Sequence, residues 1–267
     1  MRRTTDSLRT DGRTNDRGVS EVLGFILVFA IILGSVTLLS MTGFQAMQNY
    51  QEGEQLRNAE RAMEAFAENA NDVMRYDGID TRRGELSLQE GTVRTSGSGT
   101  ELNITIEKTG STVDIPEDEF SSYGTGDTVN IGEFTYTVDN DRIAYEGGGV
   151  VRGDDSGSVF LKRPQLRCDA ETAVISLVTI SADDRSIQSS GQVGFTVSEE
   201  NRTSRVYTEV NKISIDVDSD SQNPDAWNST LEDWDNDPND GDAKCEVGTA
   251  SDPGKVVVTL VEVDIKY

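Results

Sequence analysis

Three groups of residues in this 267-residue chain have types and spacings that can do chemistry. The densest is an acidic run: Asp233, Asp235, Asp237, Asn239, Asp240 and Asp242. Counting from Asp235, oxygen-bearing side chains recur at alternate positions and Glu246 falls twelfth, as in a calcium loop. The turn glycine, Gly241, comes one place later than that loop needs. Two readings stand, a calcium loop and a solvated acidic loop. The misplaced glycine favours the second, so no metal ligand is expected. The second group is Cys168 and Cys245, the chain's two cysteines, which allow one pairing. In a domain outside the cell they read as a disulfide; the alternative is two unrelated thiols. The third group is Asn103, Asn201 and Asn228, each heading an Asn-x-Ser/Thr acceptor triplet for N-glycosylation.

What is missing narrows the chemistry further. The chain has no His, which removes the usual general base and excludes a Ser-His-Asp or Cys-His device. No phosphate loop or nucleophile elbow is present, and the carboxylates are too numerous for any two to stand out as an acid and a base. No catalytic residue and no cofactor is expected, and the chain does not read as an enzyme. The formal net charge is -24 with a pI near 4.2, which repels nucleic-acid phosphates. Six of the 24 basic residues are Lys. Such acidity with so little Lys is typical of proteins from salt-saturated habitats, where salt screens carboxylate repulsion.

These groups must be positioned by elements, and the first element is at the N-terminus. Residues 1–18 hold five Arg and three Asp among Thr and Gly without a period, and read as a disordered leader. Arg17-Gly18-Val19-Ser20-Glu21 follows, and then the apolar run Val22 to Met41. As a helix that run spans roughly 30 Å, the thickness of a bilayer's hydrocarbon core. It exceeds an ordinary signal-peptide core, and no convincing small-x-small cleavage site follows it. Basic residues precede it and Glu52 and Glu54 follow it, which orients the N-terminus towards the cytoplasm and the rest outward. Ala30 and Gly34 lie four apart beside Ser35. They form a small-residue face for close helix packing, or are simply small residues that a membrane helix tolerates.

Arg17-Gly18-Val19-Ser20 with an apolar helix starting at once resembles the class III signal of archaeal type IV pilin-like proteins. The resemblance implies a cut after Gly18 by a prepilin-type peptidase on the cytoplasmic side, a mature chain beginning at Val19, and a retained helix. It also implies that Glu21 pairs with the new amine of a neighbouring pilin-like subunit. The stretch Ser20 to Phe29, with Asn58-Ala59-Glu60-Arg61-Ala62 further on, is similar to a group of haloarchaeal membrane proteins of no known function. That likeness implies an anchor, a helix and an acidic β-rich domain, and it implies no activity.

From Phe44 to Tyr76 the chain is polar yet keeps a helical period. Leu56, Ala59, Met63, Phe66, Ala70 and Val73 form a 3-4 stripe. The stripe covers the chain's own β domain or pairs with a neighbouring helix, and its shortness favours the first. After Gly84 the period becomes two. Strands are expected at Glu85–Leu88, Leu102–Ile106, Val129–Val138, Arg142–Glu146, Val159–Lys162, Ala173–Ile180, Gln192–Val197, Arg205–Val217 and Lys255–Tyr267. Asp139-Asn140-Asp141 reads as a hairpin turn, Gly147-Gly148-Gly149 as a flexible break, and Pro224 to Trp234 as a short helix. Trp227 and Trp234 share one face of it, for packing on the sheet or for stacking on a glycan.

The expected fold class is α+β: a long N-terminal helix, transmembrane plus stalk, followed by an antiparallel β-rich head domain. The expected divisions are a cytoplasmic leader at 1–18, a transmembrane helix at 19–47, a helical stalk at 48–77 and an acidic extracellular domain at 84–267. The expected partners are membrane lipid, a prepilin-type peptidase and pilin-like subunits, with no nucleic acid. The expected function is a cell-surface structural protein, a minor subunit of a type IV pilus-like filament or an adhesion component. The alternative is a membrane-anchored receptor outside any filament.

Overall fold

The first element is a helix, α1, from Asp16–Arg75. Apolar residues without a Pro carry its first half, and the 3-4 stripe carries its second. Gly78, with φ +89°, lies just beyond its end, where a left-handed residue stops a helix. The computed structural model describes residues 16–76, 78–87, 91–181, 183–189, 191–219, 221–236, 243–249 and 251–267. Contacts divide the chain into two units, Met1–Glu54 and Gln55–Tyr267. In the first unit every described side chain from Ser20 to Tyr50 is exposed.

The second unit joins residues 55–75 of α1 to two sheets. In chain order its strands are β1 (Thr81–Ser87), β2 (Gly91–Ser96), β3 (Glu101–Lys108), β4 (Ser111–Ile115), β5 (Gly124–Thr125) and β6 (Thr128–Asn130). Then come β7 (Glu133–Val138), β8 (Asp141–Glu146), β9 (Gly149–Asp154), β10 (Gly157–Lys162), β11 (Gln165–Asp169), β12 (Thr172–Ile180) and β13 (Arg185–Ser189). The last are β14 (Gln192–Val217), helix α2 (Pro224–Trp234), β15 (Lys244–Glu246) and β16 (Gly254–Lys266). The larger sheet runs β11-β12-β16-β14-β3-β6-β5, with β1 and β15 also on β14 and β4 also on β3. The smaller runs β10-β9-β8-β7-β2-β13. The named strand pairs are antiparallel except β12 with β16, which is parallel. The class is α+β with a long N-terminal helix, as the periodicities imply.

The helical stripe covers the chain's own sheets. Leu56, Ala59, Met63, Phe66, Ala70 and Val73 are buried with Phe134 and Tyr145 of the smaller sheet and Phe195 and Val263 of the larger. Phe66 sits at the centre, 4.5 Å from the Phe134 ring, 4.7 Å from Phe195 and 5.3 Å from Tyr145. Asn71 ties the same helix to a hairpin. Its Nδ2 donates to the Gly148 carbonyl at 2.8 Å, and its Oδ1 accepts from the Tyr145 hydroxyl at 2.9 Å. Arg202 closes the helix end by donating to the carbonyls of Val73 and Met74, where a cation is favoured.

The strand expected at Val129–Val138 is two, β6 and β7, which lie in different sheets. Gly147-Gly148-Gly149 is not a flexible break. Gly147 and Gly148, with φ of +60° and +90°, form the two-residue turn between β8 and β9, and both are buried. That turn type needs positive φ at both positions, which glycine supplies without strain. The strands expected at Gln192–Val197 and Arg205–Val217 are one 26-residue strand, β14. The polar stretch between them pairs with β16, so the neighbouring backbone satisfies it in spite of its composition. Asp139-Asn140 does make the β7–β8 turn, with Val138 opposite Asp141 and Asp139 at φ +49°.

Candidate functional site

The apolar part of α1 is the strongest functional feature. From Val22 to Met47 its large side chains are exposed on every side, Phe25 by 71% and Leu39 by 70%. A helix apolar all round and uncovered by its own chain is suited to lipid. Three of its hydroxyls are already satisfied. Ser35 Oγ donates to the Ile32 carbonyl at 2.9 Å, Thr37 Oγ1 to Leu33 at 2.8 Å, and Thr42 Oγ1 to Leu38 at 3.0 Å. In hydrocarbon no water would take their place. This is the one described helix long and apolar enough to cross a membrane, and it lies near the N-terminus. Glu21, Ala30 and Gly34 are on it and exposed, and a Cβ added at Gly34 would meet nothing within 4 Å. Arg17, Gly18 and Val19 fall within the first turn of α1; their side chains lie outside the described residues, as do residues 1–15.

Cys168 on β11 and Cys245 on β15 form a disulfide, with Cα atoms 5.8 Å apart and a separation of 77 positions in sequence. It fastens an edge strand of the larger sheet to a three-residue strand whose ladder partner is β14. The acceptor asparagines differ in setting. Asn103 is half-buried on β3, where its Oδ1 accepts from Thr105 Oγ1 at 3.3 Å. Asn201 is half-buried on β14, its Nδ2 donating to Ser122 Oγ at 3.2 Å. Asn228 is exposed on α2, but Thr230 of its triplet is buried.

The Trp pair is part of the core. α2 buries Ala226, Trp227, Thr230, Leu231 and Trp234, one apolar face at helical spacing. Trp227 is fully buried and meets Phe160 edge-on at 5.2 Å, so it offers no platform to a glycan. Its Nε1 donates to Glu146 Oε1 at 2.7 Å, and Thr100 Oγ1 donates to the same carboxylate at 3.2 Å. Burial pushes the Glu146 carboxyl up to about 7; nearby Glu133 adds to the rise, while Trp227, Asn223 and Arg142 oppose it. Burial also raises Glu133, against the pull of Arg142, whose Nη1 lies 2.9 Å away. Arg142 in turn donates to the Gln222 carbonyl at 3.0 Å and to Asn223 Oδ1, tying β8 to the start of α2. Sequence reading had no signal for this polar centre, because Glu146 and Glu133 look like any surface carboxylate among 48 acidic residues.

Of the acidic run, Asp237 and residues 239–242 lie outside the described residues. Asp233 is exposed and pairs with Arg163. Asn236 clasps Glu246 through its main chain, donating to the carbonyl at 2.8 Å and accepting from the amide at 2.9 Å. Among the described residues no group of three or more His, Cys, Asp or Glu is placed to hold a metal ion.

Residues 17–266 match a family of unknown function (DUF7289). No curated protein and no solved structure matches the chain.

Proposed function

Because the chain belongs to that family over nearly its whole length, we propose a role from its own physical chemistry: it is a pilin-like, single-pass protein of the cell surface. Its leader is cytoplasmic, a prepilin-type peptidase cuts after Gly18, and the retained helix holds the head outside the cell. The role is structural or adhesive, as a minor subunit of a type IV pilus-like filament, and no catalytic residue is assigned. The observation that carries the reading is the run Val22–Met41, exposed on all sides and beginning directly after Arg17-Gly18-Val19-Ser20-Glu21. The Cys168–Cys245 disulfide supports an exterior head, since such bonds persist in oxidising surroundings. Uncharged small residues at Ala30 and Gly34 leave room for a neighbouring helix.

Shearing intact cells tests the assignment. The protein is expected in the sheared filament fraction, and its head is expected to be digested by protease added outside unbroken cells. Recovery only in washed membranes would replace the filament with a standing anchored receptor. Recovery in the soluble cell extract would remove both.

A further inference from the structure

A cleft of about 950 Å³ opens beside the C-terminal ends of β12 and β16 and a bulge in β14, and residues of both sheets line it. Strand register explains which side chains meet there. Thr179 of β12 is the parallel partner of Glu262 on β16, and Asn201 of β14 is the antiparallel partner of the same Glu262. These three therefore share a row across the sheet. β14 bulges between Glu199 and Asn201, and the extra residue, Glu200, lines the cleft with Glu262. A bulge of this kind re-aims a side chain and recurs beside binding sites.

The charges in the cleft are unevenly matched. Asp264 takes both cations, Arg185 at 3.0 Å and Lys266 at 2.9 Å. Glu262 and Glu200 form no ion pair among the described residues. Thr179 lines the same cleft, is 4% exposed, and its Oγ1 has no hydrogen-bond partner among the described residues. A buried hydroxyl left without a partner is costly and uncommon. At the cleft wall, burial raises the Tyr123 phenol, Thr203 opposes the rise, and Glu262 and Glu199 add to it, so the negative field reaches inward. Among the described residues no group of three or more His, Cys, Asp or Glu is placed to hold a metal ion; carboxylate oxygens of this kind are suited to charged N–H donors.

We propose that this cleft binds a small organic cation, a protonated amine or guanidinium, between Glu262 and Glu200, with the Thr179 hydroxyl as its neutral partner at the buried end. Charged N–H donors to carboxylate oxygens are the strong hydrogen bonds, and the partly desolvated Thr179 end adds selectivity over free water. The cleft has the volume of a small-molecule site. The inference is independent of leader cleavage and of filament assembly.

Agmatine, which carries both cationic groups, serves as the probe. Calorimetric titration of the full chain in detergent micelles, in salt high enough to screen exposed charge, is expected to show saturable binding at one site. Glu262→Gln and Thr179→Val are each expected to weaken it about tenfold, the worth of one charge-assisted or buried hydrogen bond. Glu200→Gln, at an exposed bulge, is expected to weaken binding without touching the fold. Glu232→Gln, on the exposed side of α2, is expected to change nothing. Absence of saturable heat, equal losses in the Glu232 variant, affinity unchanged by the three cleft substitutions, or glucose binding in agmatine's place would each overturn the proposal.

Discussion

Glu146 is a carboxylate buried where β8, the start of β3 and α2 meet, and its proton affects folding. Its folded value of about 7 stands above the ordinary 4.5, so between those values the folded chain holds the proton more tightly than the unfolded one. The stabilisation is complete below 4.5 and is lost as pH rises towards 7. Gln at this position keeps an acceptor for Trp227 and Thr100 and does not ionise. Glu146→Gln is therefore expected to gain stability relative to the parent as pH climbs through that window, read from urea midpoints. A constant difference across the window would mean that Glu146 does not titrate there. The disulfide is also a matter of single residues. Replacing both Cys168 and Cys245 with Ser is expected to lower stability by about 2–5 kcal/mol, because a long loop of the unfolded chain is released. Thermal melts of parent and variant under non-reducing conditions check this, and equal melting temperatures would contradict it.

Among the elements, α1 does two physically different things. Its segment from Gln55 to Arg75 is a core element of the head, and Phe66 is its deepest ring. Phe66→Ala removes contacts with Phe134, Tyr145 and Phe195 and is expected to cost about 3–5 kcal/mol. Glu64→Ala, one position on the exposed side, is expected to change stability by less than about 0.5 kcal/mol. Denaturant titrations of the pair decide it; similar midpoints would remove the helix from the core. The stripe that makes this packing was legible because Leu56 to Val73 repeat at helical spacing. The strands were legible where apolar and polar residues alternate, as in β3 and β16. They were not legible in β2, β4 and β13, which are short and rich in Ser, Thr and Gly, nor in β11, five residues of which three are polar or charged; all take their order from neighbours. β14 was split because Ser198 to Ser204 is polar and the pairing with β16 along it makes it a strand.

At the scale of the whole molecule, charge and hydropathy divide the chain more sharply than its topology does. A span with no charge between Val22 and Met41 precedes a domain that carries most of a -24 net charge. A surface so negative repels other acidic surfaces. The candidate anchor was therefore legible from composition alone. The polar centre at Glu146 and the cleft at Thr179, Glu200 and Glu262 were not, because each is assembled by register between strands far apart in sequence. The acidic run shows the converse: its spacing suggested a site, while Asn236 and Glu246 at its ends engage each other through main-chain hydrogen bonds.

The central claim is that Arg17-Gly18-Val19-Ser20 is a cytoplasmic cleavage signal joined to a retained membrane helix. Mass spectrometry of the N-terminus of the protein from its native membrane or filaments tests it most directly. The account predicts a chain beginning at Val19. A mature chain that still begins at Met1, or one cut beyond Met41 and without its apolar helix, would contradict it.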